Sequence, residues 1–232
     1  DSVRALRQQA WTLSALWWTT DVLAHGANWC DTHISRIGAW ENQRGRSLLI
    51  VFPQSDGSTM TVEPYRRDFQ EEVAIARTWS GHLGVGDAIS LVSVLWAHSR
   101  EDGTAAARAA AIRILDGSPA SRGIGVQISW KGTERVLTAL HDLTVGWVAE
   151  DVRPRYSAAK GNTAYGPLVS DAAFAYARRE ESRLWSGFVN GTYLRYGDRV
   201  LYEGQPHAMF QEDRTARPGV PARFRWQGEV RV

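Results

Sequence analysis

The N-terminal segment places apolar residues three and four positions apart, which is the spacing of one face of an amphipathic α-helix. This stripe consists of Val3, Leu6, Ala10, Leu13 and Trp17. Such a wide apolar face is costly to leave in water, so it should pack against the rest of the protein or against a second protomer. The pattern therefore predicts an N-terminal helix and offers a route to self-association through it.

Similar periodicity and turn signals divide the rest of the chain. Helices are predicted near 28–40, 66–79, 104–115, 133–143 and 170–188, and strands near 88–98, 124–130, 144–152 and 222–232. The dipeptides Asp56-Gly57 and Gly197-Asp198 stand between β-rich runs and predict hairpins at 47–63 and 193–203. We therefore expect an α+β fold in which several amphipathic helices pack on a mainly antiparallel sheet.

Length and composition limit the domain organisation. A chain of 232 residues can bury its own core, and we expect a single globular domain, with a subdomain boundary allowed in the loop at 153–167. The sequence contains no apolar run of membrane-spanning length, no visible signal peptide and only one cysteine, Cys30. These features favour a cytoplasmic protein without disulfides that does not bind membranes.

Basic residues supply the leading functional hypothesis. Of 27 basic residues only Lys131 and Lys160 are lysine, although the net charge is just +2. Two segments concentrate positive charge beside aromatic residues, and their candidate partner-binding residues are Arg153, Arg155, Lys160, Arg223, Arg225, Trp226 and Arg231. The planar guanidinium group of arginine can bind a phosphate or a carboxylate through two hydrogen bonds at once. We expect an interaction or assembly module that contacts an acidic partner, nucleic acid or protein, although a solvated edge strand would explain the C-terminal charges equally well.

Cys30 and His82 form the second hypothesis, a cysteine-dependent hydrolase. The predicted helix start at Trp29-Cys30 would favour a thiolate, and the segment Gly81-His82-Leu83-Gly84 offers a base. The pair resembles the NlpC/P60 and CHAP-type cysteine peptidases and amidases, and this resemblance implies that Cys30 is the nucleophile and His82 the base. The alternative is a buried structural cysteine and a surface histidine.

Other residue groups leave further functions open. Four potential metal ligands lie close in sequence: Asp21, His25, Asp31 and His33. Their spacing fits polar side chains at the end of a helix better than a metal site, so we expect no metal and no cofactor. The segment 67–75 resembles half of a Nudix box but lacks the upstream glutamate and glycines of that family. Eleven tryptophans are spread along the chain, which fits core packing or, as a third hypothesis, carbohydrate binding or hydrolysis. Whether the protein is an enzyme stays open.

Overall fold

A computed structural model describes most of the chain and divides it into two compact units, Asp1–Ile112 and Arg113–Val232. The described residues are 2–33, 46–53, 57–67, 70–99, 101, 103–117, 123–140, 146–148, 151–155, 161–214 and 223–228. A single globular domain stays a prediction. Residues 156–160, within the expected subdomain boundary, lie outside the described part.

The described residues of unit 1 form three antiparallel sheets and one short helix. Its elements are β1 (Ser2–Arg4), β2 (Gln9–Thr19), β3 (Asp21–His25), β4 (Trp29–His33), β5 (Arg46–Val51), β6 (Thr59–Arg67), β7 (Gln70–Leu83), β8 (Ala88–Ser90), β9 (Val94–Ser99) and α1 (Ala105–Ala110). Strand β1 pairs with β8, a second sheet has the order β2-β7-β6, and a third has the order β3-β4-β5-β9. Thr104 caps the N-terminus of α1, and its hydroxyl accepts a hydrogen bond from the Ala107 amide at 3.2 Å.

The core of unit 1 lies between its two larger sheets. Cys30, Ile50 and Phe52 come from the β3-β4-β5-β9 sheet and its extension, and they pack with Ile75 of β7. Because side chains alternate along a strand, each sheet presents only every second residue to this core. The opposite face of each sheet is therefore available for polar or functional side chains.

Unit 2 is built on one large antiparallel sheet. Its strands are β10 (Ile112–Asp116), β11 (Gly123–Trp130), β12 (Thr133–Leu140), β13 (Gly146–Val148), β14 (Asp151–Arg155), β15 (Thr163–Tyr165), β16 (Leu168–Ser170), β17 (Phe174–Glu180), β18 (Arg183–Tyr196), β19 (Arg199–Arg214) and β20 (Arg223–Gly228). The sheet order is β10-β11-β12-β17-β18-β16-β15, and β19 pairs with both β18 and β20. Strands β13 and β14 form a separate pair.

One side of this sheet carries the core of unit 2. The core residues are Val136, Leu168, Ala172, Ala175, Ala177, Leu184, Phe188 and Leu194. Tight turns fix the register of the strands that carry them. In the β11–β12 turn, Lys131 and Gly132 both have positive φ angles, +46° and +75°, which is the backbone of a type I′ hairpin turn.

A buried carboxylate stabilises an irregular part of β18. Pairing between β18 and β19 shifts register between Phe188 and Tyr193. Asp171 Oδ1 accepts hydrogen bonds from the amides of Thr192 and Tyr193 at 2.8 and 2.9 Å, and its Oδ2 accepts one from the Thr192 hydroxyl. The carboxylate thus satisfies backbone donors that the sheet itself does not pair.

The prediction of an N-terminal helix is wrong. The segment forms β1 and β2, and in β2 the residues Trp11, Leu13, Ala15 and Trp17 turn inward in alternation with exposed neighbours. Leu6 lies between the two strands with 88 % of its surface exposed. Self-association through an N-terminal helix is therefore also wrong, because the apolar stripe that should drive it does not exist.

The other predicted helices are corrected wherever the structure describes them, and the α+β class is corrected to a nearly all-β fold. The described residues of 66–79 belong to β6 and β7, those of 133–143 to β12, and most of those of 170–188 to β17 and β18, whereas 28–40 begins with β4 and continues outside the described residues. Among the described residues of these segments, only those of 104–115 include a helix, and it is short. Small and β-branched residues in these segments recur at spacings that fit both the period of a helix and the period of a strand. Pairing with distant strands selected the strand.

One hairpin prediction is confirmed and the other is wrong. Strands β18 and β19 pair around Gly197, whose φ of +58° suits a tight turn. The run at 47–63 contains two strands, but β5 pairs with β4 and β9 while β6 pairs with β7. Strands β9, β11 and β20 match predicted strands. Within the described part of the chain, no helix has the length and apolar character to cross a membrane.

Replacing Asp171 with alanine should reduce the free energy of unfolding of unit 2 by about 2–4 kcal/mol, because two backbone amides and a hydroxyl lose a buried acceptor. Urea denaturation measures the change. Asp198→Ala, in the exposed β18–β19 turn, is the matched control and should shift stability by no more than about 0.5 kcal/mol. Equal effects of the two substitutions would contradict the role assigned to Asp171.

Candidate functional site

Cys30 lies in the core of unit 1. Its side chain is fully buried among Ile50, Phe52 and Ile75. Burial raises the pKa of the Cys30 thiol from 9.0 to about 11, and the negative charge of Asp31 adds to the rise. At neutral pH the side chain is a thiol, so it lacks the thiolate that a nucleophilic mechanism needs.

The structure does not bring His82 to Cys30. His82 is exposed on β7, and Ile75, which contacts the Cys30 cluster, lies an odd number of residues away on the same strand. Side chains an odd number of positions apart point to opposite faces of a strand, so Cys30 and His82 are separated by the sheet. Trp29 and Cys30 also begin strand β4 rather than a helix. The thiol therefore lies on a strand rather than at a helix start, and the catalytic roles of Cys30 and His82 stay predictions.

The predicted partner-binding residues fall on two different sheets of unit 2. Arg153 and Arg155 lie on β14, which pairs only with β13 among the described strands. Arg223, Arg225 and Trp226 lie on β20, at the end of the large sheet. Lys160 and Arg231 lie outside the described residues.

Cross-strand register connects β20 to a row of arginine and tryptophan positions. Arg135 on β12 pairs with Arg178 on β17, and Arg178 pairs with Trp185 on β18. The same row continues through Glu212 on β19 to Arg223 on β20. Directly paired residues share a face of the sheet. The row thus places positions from five successive strands side by side.

The neighbouring row is mainly apolar. Leu137 pairs with Tyr176, Tyr176 with Gly187, and this row continues through Phe210 to Trp226. We call the side of β12, β17 and β18 that carries Arg135, Leu137, Phe174, Tyr176, Arg178 and Trp185 the outer face. It lies opposite the core side, where Val136 and Ala177 are buried. Leu137 and Phe174 are 42 % and 41 % exposed.

The outer face combines positive charge with aromatic rings. The guanidinium carbon of Arg178 lies 4.8 Å from the centre of the Trp185 ring, within the range of a cation–π contact. Its Nη2 also donates to Glu180 Oε2 at 2.6 Å. Burial raises the pKa of Tyr176, while the charges of Arg135 and Arg178 oppose that rise. On β12, β17 and β18, Arg135, Arg178 and Arg183 share this face with the carboxylate of Glu180. The next position of the row, Glu212 on β19, is also acidic.

Sequence reasoning missed Arg135, Tyr176, Arg178 and Trp185 because it assigned 133–143 and 170–188 to helices. The signal was present in the alternation of Ala175 and Ala177 with Tyr176 and Arg178. Read with a period of two, that segment predicts one small-residue face for the core and one aromatic and basic face for solvent.

Within the described ranges, no group of three or more histidine, cysteine, aspartate or glutamate side chains is placed to hold a metal ion. No protein-family model matches the chain, and searches of curated proteins and of solved structures find no match.

Alkylation of Cys30 by iodoacetamide at pH 8 should be roughly a hundredfold slower in the folded protein than for a free cysteine, because a pKa of about 11 depletes the thiolate. The rate should rise with pH as the thiol ionises. The chain has a single cysteine, so the same protein unfolded in guanidinium chloride serves as the control and should react at the free rate. Equally fast alkylation of folded and unfolded protein would restore Cys30 as a reactive thiol.

Proposed function

We propose that this protein is a binding module for an acidic macromolecule, and that its outer face in unit 2 binds single-stranded nucleic acid. The observation that carries the proposal is the row in which Arg135 and Arg178 lie beside Trp185, with Arg178 stacked over the indole ring. A structural sheet surface has no need to gather cations and aromatic rings on its solvent side.

The chemistry of this face favours nucleic acid over an acidic protein. Guanidinium groups match phosphate oxygens in a planar, two-pronged geometry. Aromatic rings such as Trp185 and Tyr176 offer flat surfaces on which unpaired bases of any sequence can stack. An acidic peptide would use the charges but would gain little from the rings. A duplex would hide its base faces, so the single-stranded form fits better.

Backbone register continues the two rows of the outer face to β20, past the acidic position Glu212 on β19. Register places Arg223 in the row of Arg178 and Trp185, and Trp226 in the row of Tyr176. Two of the partner-binding positions predicted from sequence are therefore neighbours of arginine and aromatic positions that sequence reasoning missed. Arg225 lies at the irregularity between these rows. Arg153, Arg155, Lys160 and Arg231 stay predicted contacts of the same partner.

Separate substitutions of Arg135 and Trp185 distinguish the phosphate contact from base stacking in the proposed interaction. Arg135→Gln should weaken binding of a fluorescent oligo-dT at low salt and lower the slope of log affinity against log salt by about one unit, because one phosphate contact is lost. Trp185→Ala should cost about 1–3 kcal/mol of binding free energy with an unchanged slope. Fluorescence anisotropy over a salt series measures both effects.

Arg7→Gln, at an exposed position in unit 1, is the matched control and should leave affinity and slope unchanged. Two results together would show that the partner is an acidic protein rather than nucleic acid. Arg135→Gln would lose affinity for oligo-dT while Trp185→Ala would not, and polyglutamate would compete for the site as well as unlabelled oligo-dT does. Absence of oligo-dT binding at a salt concentration giving a Debye length of about 30 Å would contradict the proposal.

A second candidate function, carbohydrate binding, is favoured by an exposed ring pair in unit 1. The rings of Trp18 and Tyr65 lie with centroids 4.3 Å apart, and each residue is 43 % exposed. The same side of the β2-β7-β6 sheet carries hydroxyls, including a Ser14–Thr78 hydrogen bond of 2.8 Å. Flat rings beside hydroxyl groups suit the apolar and polar faces of a sugar.

Trp18→Ala should abolish retardation of the protein in gels containing a soluble β-glucan, since the stacking surface is lost. Trp185→Ala, which changes the outer face of unit 2 instead, should migrate like the parent protein. Equal retardation of parent and Trp18→Ala, or none of either, would remove this candidate.

A further inference from the structure

The exposed ring pair of unit 1 spans the middle strand of its sheet. Trp18 on β2 and Tyr65 on β6 lie on either side of β7, yet their ring centroids are only 4.3 Å apart. Register places Ala74 of β7 beside Trp18, and its small methyl group leaves room for the rings to meet above the strand. Each of the two aromatic residues keeps 43 % of its surface exposed to solvent.

Two glutamates accompany the rings on this side of the sheet. Glu72 of β7 pairs directly with Tyr65, and the row Trp18-Ala74-Glu63 crosses all three strands. Directly paired residues share a face of the sheet, with Cβ atoms about 5 Å apart. Glu63 is exposed to solvent. We call Trp18, Glu63, Tyr65 and Glu72 the ring–carboxylate cluster.

The charges around this cluster favour a positively charged ligand. Oε2 of Glu72 is buried, and no hydrogen-bond donor reaches it within the part of the chain that the structure describes. An unpaired buried acceptor is costly, and a cation nearby reduces that cost. One basic position, Arg67, follows Tyr65 on the same side of β6, whereas Arg66 and Glu71 pair on the opposite side. The two carboxylates outnumber this basic position.

The aromatic rings attract the same kind of charge. A cation within about 6 Å of a ring centre is drawn to the negative face of the ring, and tryptophan is the most effective residue. The flat faces of Trp18 and Tyr65 also suit the apolar face of a sugar. A ligand that uses both properties carries a positive charge on a sugar ring.

A strip of small side chains continues from the cluster along β7, from Ala74 to Ser80. The hydroxyls of Ser14 and Thr78 lie 2.8 Å apart, and those of Thr12 and Ser80 lie 3.1 Å apart. Thr78 is about 13 Å from Ala74 along the strand. Each hydroxyl has one hydrogen and two lone pairs, so each pair keeps one donor for a ligand. The strip therefore offers hydrogen bonds to the hydroxyls of an extended sugar chain, which a basic peptide lacks.

We propose that the ring–carboxylate cluster binds an amino sugar within an extended glycan. The protonated amino group lies at Glu63, and the negative charge of Glu72 adds to the attraction. The sugar ring stacks on the exposed aromatic faces, and the rest of the glycan follows the hydroxyls along β7. This proposal rests on carbohydrate binding, the second candidate function, and names its substrate class. It is independent of nucleic-acid binding by unit 2.

Matched oligosaccharides test the charge requirement. β-linked hexamers of glucosamine, N-acetylglucosamine and glucose share the same ring faces, but only the glucosamine hexamer carries amino groups that can be protonated. Isothermal titration calorimetry of the full chain at about pH 5.5, between the usual pKa values of glutamate and of amino groups, compares them. The glucosamine hexamer should bind at least about threefold more tightly than the other two, because an exposed ion pair and a cation–π contact each contribute modestly.

Salt separates a specific charge contact from stacking. Added salt should reduce the preference for the glucosamine hexamer and leave binding of the glucose hexamer unchanged. The chain has a net charge of +2, so a general attraction to a polycation is not expected.

Substitutions test the location. Glu63→Gln should remove the preference for the glucosamine hexamer and change binding of the glucose hexamer by less than about twofold, because an exposed ion pair contributes little to anything but the charged ligand. Glu71→Gln is the matched control, since Glu71 is an exposed glutamate of the same sheet that faces the other side. It should retain the preference. Trp18→Ala should weaken binding of all three hexamers.

The possible failures are distinguishable. Equal affinity for the glucosamine and glucose hexamers would overturn the amino-sugar proposal and leave carbohydrate binding in place, whereas no binding of any hexamer would remove both. Equal effects of Glu63→Gln and Glu71→Gln would overturn the assigned location. Binding of hexalysine as tight as that of the glucosamine hexamer would overturn the proposal in favour of a basic protein partner.

Discussion

Antiparallel strand pairing is the constraint on which both proposed sites depend. Each paired strand must satisfy its backbone hydrogen bonds with a neighbour, and this fixes which residues stand side by side. Once Arg135, Arg178 and Trp185 are paired in register, they occupy one row on one side of the sheet. A slip of one residue would bury this row and expose Val136 and Ala177, which the core of unit 2 would resist strongly.

Each sheet has a core side and a solvent side, and this division also explains why Cys30 is buried and protonated. Cys30 and Asp31 are adjacent in β4 and therefore point in opposite directions. Cys30 joins the apolar core, where burial keeps it protonated, and Asp31 lines a cleft beside helix α1 together with His98. The same strand thus provides an inert thiol on one side and a polar wall on the other.

Three buried charges in this protein are compensated locally. Asp171 is surrounded by backbone and hydroxyl donors, Asp31 by His98, and Arg108 donates to a backbone carbonyl. An isolated charge would be very costly inside a protein, whereas these contacts replace much of the lost hydration. Asp171 serves the strand irregularity of β18. Asp31, His98 and Arg108 line the cleft beside helix α1.

The sequence by itself determined those features whose causes are local. The Gly197 turn, the short helix after Thr104 and the C-terminal strand at Arg223 follow from turn dipeptides, capping and alternation within a few residues. Basic and aromatic residues near the C-terminus also pointed to a charged surface. Tertiary structure alone decided that 9–19 and 174–180 are strands, because their apolar spacing suits two periods and only pairing with distant strands selects one. It alone brought Asp31, His98 and Arg108 together, since no local pattern encodes contacts across 67 and more residues.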